Sequence, residues 1–231
     1  MKLNLLAAVV ASSMSLAGAA SAATFDFQNL AEGSGVGEGS WESRGDYSGA
    51  LGDFDDASNT FTVDGICVVA TALDDFAGVV HAYLDSGGAG LGVCETVDGS
   101  NQCNPSNDDN VDDYERLFLT FDQSVSLSSM ILRATSHALF SDEIYIGNVT
   151  GGTGGHYSAG DDLSVLGFGT KFVFENDQRL FGGCGGPTAQ TCEFYLSSLT
   201  VTPSEVPLPA AGLLLLGGLG GLAALKRRKK A

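Results

Sequence analysis

Apolar and polar positions alternate along much of the chain between Thr60 and Thr202. Leu117, Leu119 and Phe121 fall on one side of an extended segment, with Arg116, Phe118 and Thr120 on the other. Val125, Leu127 and Ile131 alternate with Ser126 and Ser128 in the same way. Successive side chains of a strand point to opposite faces, so the pattern predicts strands with one buried face. Runs rich in Val, Ile, Phe, Tyr and Thr mark them: Thr60 to Thr71, Gly78 to Leu84, Glu115 to Asp122, Val125 to Ala134, Glu143 to Gly147, Lys171 to Glu175 and Cys192 to Thr202. A shorter strand is expected at Thr24 to Phe27. No internal stretch combines helical periodicity, length and caps, so helices should be few and short. Strands separated by Gly, Asn and Asp turns, without intervening helices, predict an all-β chain: an antiparallel β-sandwich, jelly-roll-like in type. The doublets Gly151-Gly152 and Gly154-Gly155 read as turn positions needing positive φ.

The two ends break this pattern. Met1-Lys2, the apolar stretch Leu5 to Leu16 and Ala20-Ser21-Ala22 have the order of a secretory signal peptide over residues 1–22, with a signal helix and a mature chain starting at Ala23. At the other end, Val206-Pro207-Leu208-Pro209-Ala210 precedes an apolar run to Leu225 and the basic patch Lys226-Arg227-Arg228-Lys229-Lys230. As a helix, the 16 residues from Ala210 to Leu225 reach roughly 24 Å, so a C-terminal transmembrane helix spans a bilayer only with local thinning or snorkelling lysines. The basic patch acts as a stop-transfer signal, held in the cytoplasm with the body outside.

This three-part ending, Pro motif, Gly/Leu-rich span and Arg/Lys cluster, resembles the VPLPA variant of the PEP-CTERM sorting signals of Gram-negative bacteria. The resemblance covers about the last 26 residues. It implies recognition by an exosortase-type transpeptidase that cuts near the Pro motif, after transient anchoring in the membrane. The segment Gly90-Leu91-Gly92-Val93-Cys94, the Asn/Asp-rich stretch through Asp113 and the strand Glu115 to Asp122, followed by Val125-Ser126-Leu127, also resembles the recurrent core of exported proteins of this kind. That likeness implies a β-sandwich and carries no activity. The chain therefore divides into the signal peptide, a Gly/Asp-rich loop region at 23–59, the sandwich at 60–203 and the sorting signal at 204–231.

Charge sharpens the picture. All 28 acidic residues lie between Ala23 and Glu205, against Arg44, Arg116, Arg133, Lys171 and Arg179, a net of −23 for the exported body. Such a surface repels nucleic acid and anionic membranes and attracts divalent cations. Five cysteines in an exported chain predict disulfides; spacing favours Cys94 with Cys103 and Cys184 with Cys192, leaving Cys67 as a buried small hydrophobe or as the partner of another bridge.

Candidate chemistry is sparse. Asp108, Asn110 and Asp112 have the alternate-residue spacing of a Ca²⁺ loop, with Asp85 and Glu115 as helpers, although Asp113 and Leu119 stand where an EF-hand needs Gly and Glu. The alternative is a solvated acidic loop closed by the disulfide. The pairs Asp74-Asp75 and Asp161-Asp162 are expected to point apart into solvent rather than to run glycoside hydrolysis. His81, expected on an outer strand face, His137 and His156 have no zinc spacing, and nucleophile and phosphate-binding motifs are absent. Trp41, Tyr47 and Tyr114, together with Tyr145 and Tyr157, either cap the core or form a platform for sugar rings. The expectation is a non-enzymatic exported envelope or matrix protein whose sandwich serves adhesion or polysaccharide association, with calcium as a candidate ion and the membrane, the transpeptidase and an extracellular polysaccharide as partners. The alternatives are a plain structural surface protein without a specific ligand and a secreted glycoside hydrolase.

Overall fold

The computed structural model describes residues 21–34, 39–40, 61–100, 102–112, 114–176 and 193–204. Eleven strands follow in order: β1 Ala23–Asp26, β2 Gly39–Ser40, β3 Phe61–Val63, β4 Ile66–Asp74, β5 Gly78–Asp85, β6 Gly90–Cys94, β7 Glu115–Ala134, β8 Ile144–Asn148, β9 Thr153–Tyr157, β10 Phe168–Glu175 and β11 Phe194–Pro203. Helical structure among the described residues is limited to single turns at Phe27–Asn29, Leu30–Ser34 and Leu163–Leu166. All named strand pairs are antiparallel, and β11, β6, β5, β4 and β7 close on one another as a five-stranded barrel. Strand β1 flanks β11, β2 and β3 flank β5 and β4, and β10, β8 and β9 extend the sheet beyond β7. The expectation of a mostly β, antiparallel body with few helices therefore holds.

The 20-residue β7 organises the barrel. Its first part pairs with β4 and β10, and its second with β11. Two separate strands were expected here; Gln123 and Ser124 instead continue one strand, since Val125 keeps the inward phase of Leu117, Leu119 and Phe121. The phase then changes. Leu127 pairs with Val201 and Ser129 with Thr200, so Ser128 is an extra residue, and its Oγ donates to Thr200 O at 3.0 Å. A bulge of this kind rotates everything after it to the other face. Met130 and Leu132 consequently point inward, and Ile131, expected inside, is 44 % exposed.

Other departures have local causes. The expected run Thr60 to Thr71 is two strands, because Asp64 (φ 50°) and Gly65 (φ 81°) form a two-residue turn between Val63 and its partner Ile66. Paired positive φ values suit the twist of a hairpin, and Asp-Gly is a preferred sequence for them. Strands β6 and β9 were missed because they are glycine-rich; Gly154 lies in β9 instead of a turn, beneath the Tyr145 hydroxyl.

The core is aromatic at its centre. Phe25 of β1 meets Phe121 of β7 edge-on at 5.9 Å, although these strands do not pair, and Phe121 meets Phe172 of β10 at 6.1 Å. Each such contact adds about 0.5–1.5 kcal/mol beyond the area buried. The expected signal helix and transmembrane helix lie outside the described residues, among which no helix is long and apolar enough to cross a membrane.

Candidate functional site

The acidic stretch before β7 is part of the barrel wall. Strands β6 and β11 pair only at Leu91 and Leu196. Beyond that point the backbone of Asp109–Val111 lies between them: Val93 N donates to Asn110 O at 3.3 Å, Val111 N to Phe194 O at 2.8 Å and Phe194 N to Val111 O at 3.2 Å. Val111 is fully buried in consequence. Gly92 is required beneath this crossing, since a Cβ there would sit 2.1 Å from Asp109 O. The neighbouring loop is closed by the expected disulfide, Cys94–Cys103, which packs on buried Tyr83.

The proposed calcium ligands do not all face one point. Asn110 is buried and its Nδ2 donates to Asn107 O at 3.4 Å. Asp112 Oδ1 accepts from Tyr114 N at 3.0 Å, and Glu115 Oε2 accepts from Asp112 N at 3.0 Å. Burial, and then the charge of Glu95, raises the carboxyl of Asp108 above its usual range. Glu115 is pushed up to about 9, first by burial and then by the negative charges of Asp112, Asp108 and Asp74, against the opposing Asp112 N–H. Asp85, expected as a helper, faces His137 instead. Among the described residues, no group of three or more His, Cys, Asp or Glu is arranged to hold a metal ion; Asp113 lies outside them.

An aromatic pair stands beside this acidic wall. Phe76, at the tip of the β4–β5 hairpin, is 79 % exposed and meets Tyr114, 43 % exposed, edge-on at 4.8 Å. The pair is held from below. Asp74 Oδ1 accepts from Phe76 N at 2.7 Å and also from Ala77 N, while Asp75 N donates to Tyr114 O at 3.1 Å. Arg116 lies alongside, with Nη2 at 2.6 Å from Asp75 and Nε at 3.6 Å from Glu175. Trp41 and Tyr47 lie outside the described residues, as do Cys184, Cys192, Val206 to Ala210 and Lys226 to Lys230. Tyr145 is half-buried with its ring against His156, and Tyr157 packs on the core.

The paired aspartates hold turns. Asp74 and Asp75 serve different partners, as described, and Asp161 and Asp162 accept from Ser158 N at 2.7 Å and Ser164 N at 2.9 Å. Cys67 is a half-buried free thiol 3.2 Å from Thr62 Oγ1. His81 is also half-buried rather than fully outward, and burial lowers its pKa.

A second cluster has no local sequence signal. His137 Nε2 lies 3.2 Å from Asp85 Oδ2 and its Nδ1 2.9 Å from Gly87 O. Its ring stands perpendicular to Tyr195 at 5.5 Å, and the Tyr195 hydroxyl donates to the buried Asp109 carboxylate. Burial, followed by that hydrogen bond, drives the Tyr195 pKa far above the phenol range, so the hydroxyl stays a donor. Arg133 Nη1 donates to His137 O at 3.3 Å, tying the same loop to β7. The network draws on residues spread over 110 positions, from Asp85 to Tyr195, and knits the barrel wall together.

No protein-family model, curated protein or solved structure matches this chain.

Proposed function

We propose that the chain is an exported, non-enzymatic protein of the cell envelope or extracellular matrix, delivered by a signal peptide and an exosortase-type sorting signal. Its β-body serves adhesion or association with polysaccharide. One observation carries this reading: the first strand begins at Ala23 and the last ends at Pro203, so the barrel fits between the expected signal-peptide cleavage and the Pro motif at Val206. Ala23 itself is fully buried. The disulfide and the acidic surface fit an exported chain. Non-enzymatic use is supported by the paired aspartates being occupied in turns. We read the barrel as a flattened, jelly-roll-like sandwich, with Phe25 and Phe121 meeting across its layers. The full chain, produced in its native host, should be recovered from the surface or matrix fraction; retention in the cytoplasm contradicts the proposal.

The carboxylates crowded around Glu115 favour a second element, Ca²⁺ drawn to the acidic rim about Asp108, Asn110 and Asp112, with no preformed group of three metal-holding side chains there among the described residues. A carboxyl pushed up to about 9 by burial and neighbouring carboxylates is relieved by a divalent cation. Binding at one hundred times Kd would stabilise the fold by about 2.7 kcal/mol. Melting temperature unchanged by millimolar Ca²⁺ would remove this element and leave the export reading intact.

A further inference from the structure

We infer that Phe76 and Tyr114 form a binding subsite for a neutral pyranose chain, an assignment that rests on the polysaccharide reading and gives it a place and a ligand class. A phenylalanine 79 % exposed at a hairpin tip is left uncovered by the fold, and Val79, 82 % exposed, follows it near the start of β5. The tip is tied to the strands through its backbone. The Phe76 backbone N–H is held by buried Asp74, and the Tyr114 backbone is held through Asp75 N to Tyr114 O and Tyr114 N to Asp112 Oδ1. The edge-on contact at 4.8 Å and 68° leaves two ring surfaces set as a corner.

The chemistry around the corner selects the occupant. A pyranose has an apolar C–H face that packs on a ring and a rim of hydroxyls that need donors and acceptors. The Asp75–Arg116 ion pair supplies both at the edge of the corner, with side chains 20 % and 32 % exposed. Arg116 is already shared between Asp75 and Glu175, so it offers no free positive charge to an acidic sugar. A net charge of −17 on the whole chain further disfavours polyuronates. An uncharged sugar polymer meets neither obstacle.

Affinity electrophoresis of the full chain through gels containing soluble neutral polymers, a β-1,3-glucan, a β-1,4-glucan and a galactomannan, tests this, with polyuronate gels in parallel. At least one neutral polymer should retard the wild type, and polyuronate should not. Phe76→Ala and Tyr114→Ala should each weaken retention about tenfold, Phe76→Trp should restore it, and Phe168→Ala, an exposed aromatic away from the corner, should change it less than twofold. Retention that survives Phe76→Ala and Tyr114→Ala overturns the subsite while leaving polysaccharide association standing. Retention by polyuronate alone overturns the ligand class, and no retention of the wild type overturns both.

Discussion

Val111 and Phe194 exchange two backbone hydrogen bonds, at 2.8 and 3.2 Å, and so join an acidic loop to the last strand of the barrel. Between Leu91 and Leu196, the only paired residues of β6 and β11, and the ends of those strands, this loop completes the wall. A stretch with the composition of a solvated loop is thereby structural.

Gly92→Ala tests the crossing. The added Cβ would meet backbone, Asp109 O at 2.1 Å, which no side-chain rotation relieves. We expect a loss of about 3 kcal/mol or more in denaturant unfolding, as for other overpacked sites. Gly99→Ala, where a Cβ meets nothing within 4 Å, should stay within about 0.5 kcal/mol of the wild type.

The pH dependence follows from Glu115. Its carboxyl is raised from 4.5 to about 9 in the folded protein. The folded chain therefore keeps a proton that the unfolded chain releases above pH 4.5, and the contribution to stability is fully present below that pH and is lost as pH rises towards 9. The slope from this group is on the order of 1 kcal/mol per pH unit at most. Glu115→Gln keeps an acceptor for Asp112 N and should flatten the fall in melting temperature between pH 5 and pH 9. Parallel curves for the two proteins would contradict the assignment.

The disulfide gives a further check. Cys94 and Cys103 close a loop with a sequence separation of 9, which in the chain-entropy description stabilises by about 2–3 kcal/mol. The double variant Cys94→Ser, Cys103→Ser should lose that amount in equilibrium unfolding, with added loss from placing hydroxyls beside Tyr83.

What was legible in the sequence was whatever neighbours decide. Leu117, Leu119 and Phe121 face inward as their alternation requires, and Cys94 and Cys103 pair as their spacing suggests. Asp64-Gly65 was equally legible as a hairpin turn, but the apolar residues on both sides concealed it. Ile131 is different. Its outward position depends on the bulge at Ser128, fixed by Thr200 some 72 residues away. The wall role of Asp109–Val111 likewise depends on Phe194, and the position of His137 on Asp85 at the end of β5, 52 residues earlier in the chain. The aromatic corner was half visible: Tyr114 stood out, whereas Phe76 lies between the expected strands Thr60 to Thr71 and Gly78 to Leu84 and carries no pattern that marks it as exposed.

The central claim is export with processing at both ends of the β-body, and intact-mass analysis of the protein purified from its native host tests it most directly. The mature chain should begin at Ala23 and lack the residues beyond the Pro motif at Val206 to Ala210. A membrane-bound chain that still begins at Met1 or still ends at Ala231 would contradict it.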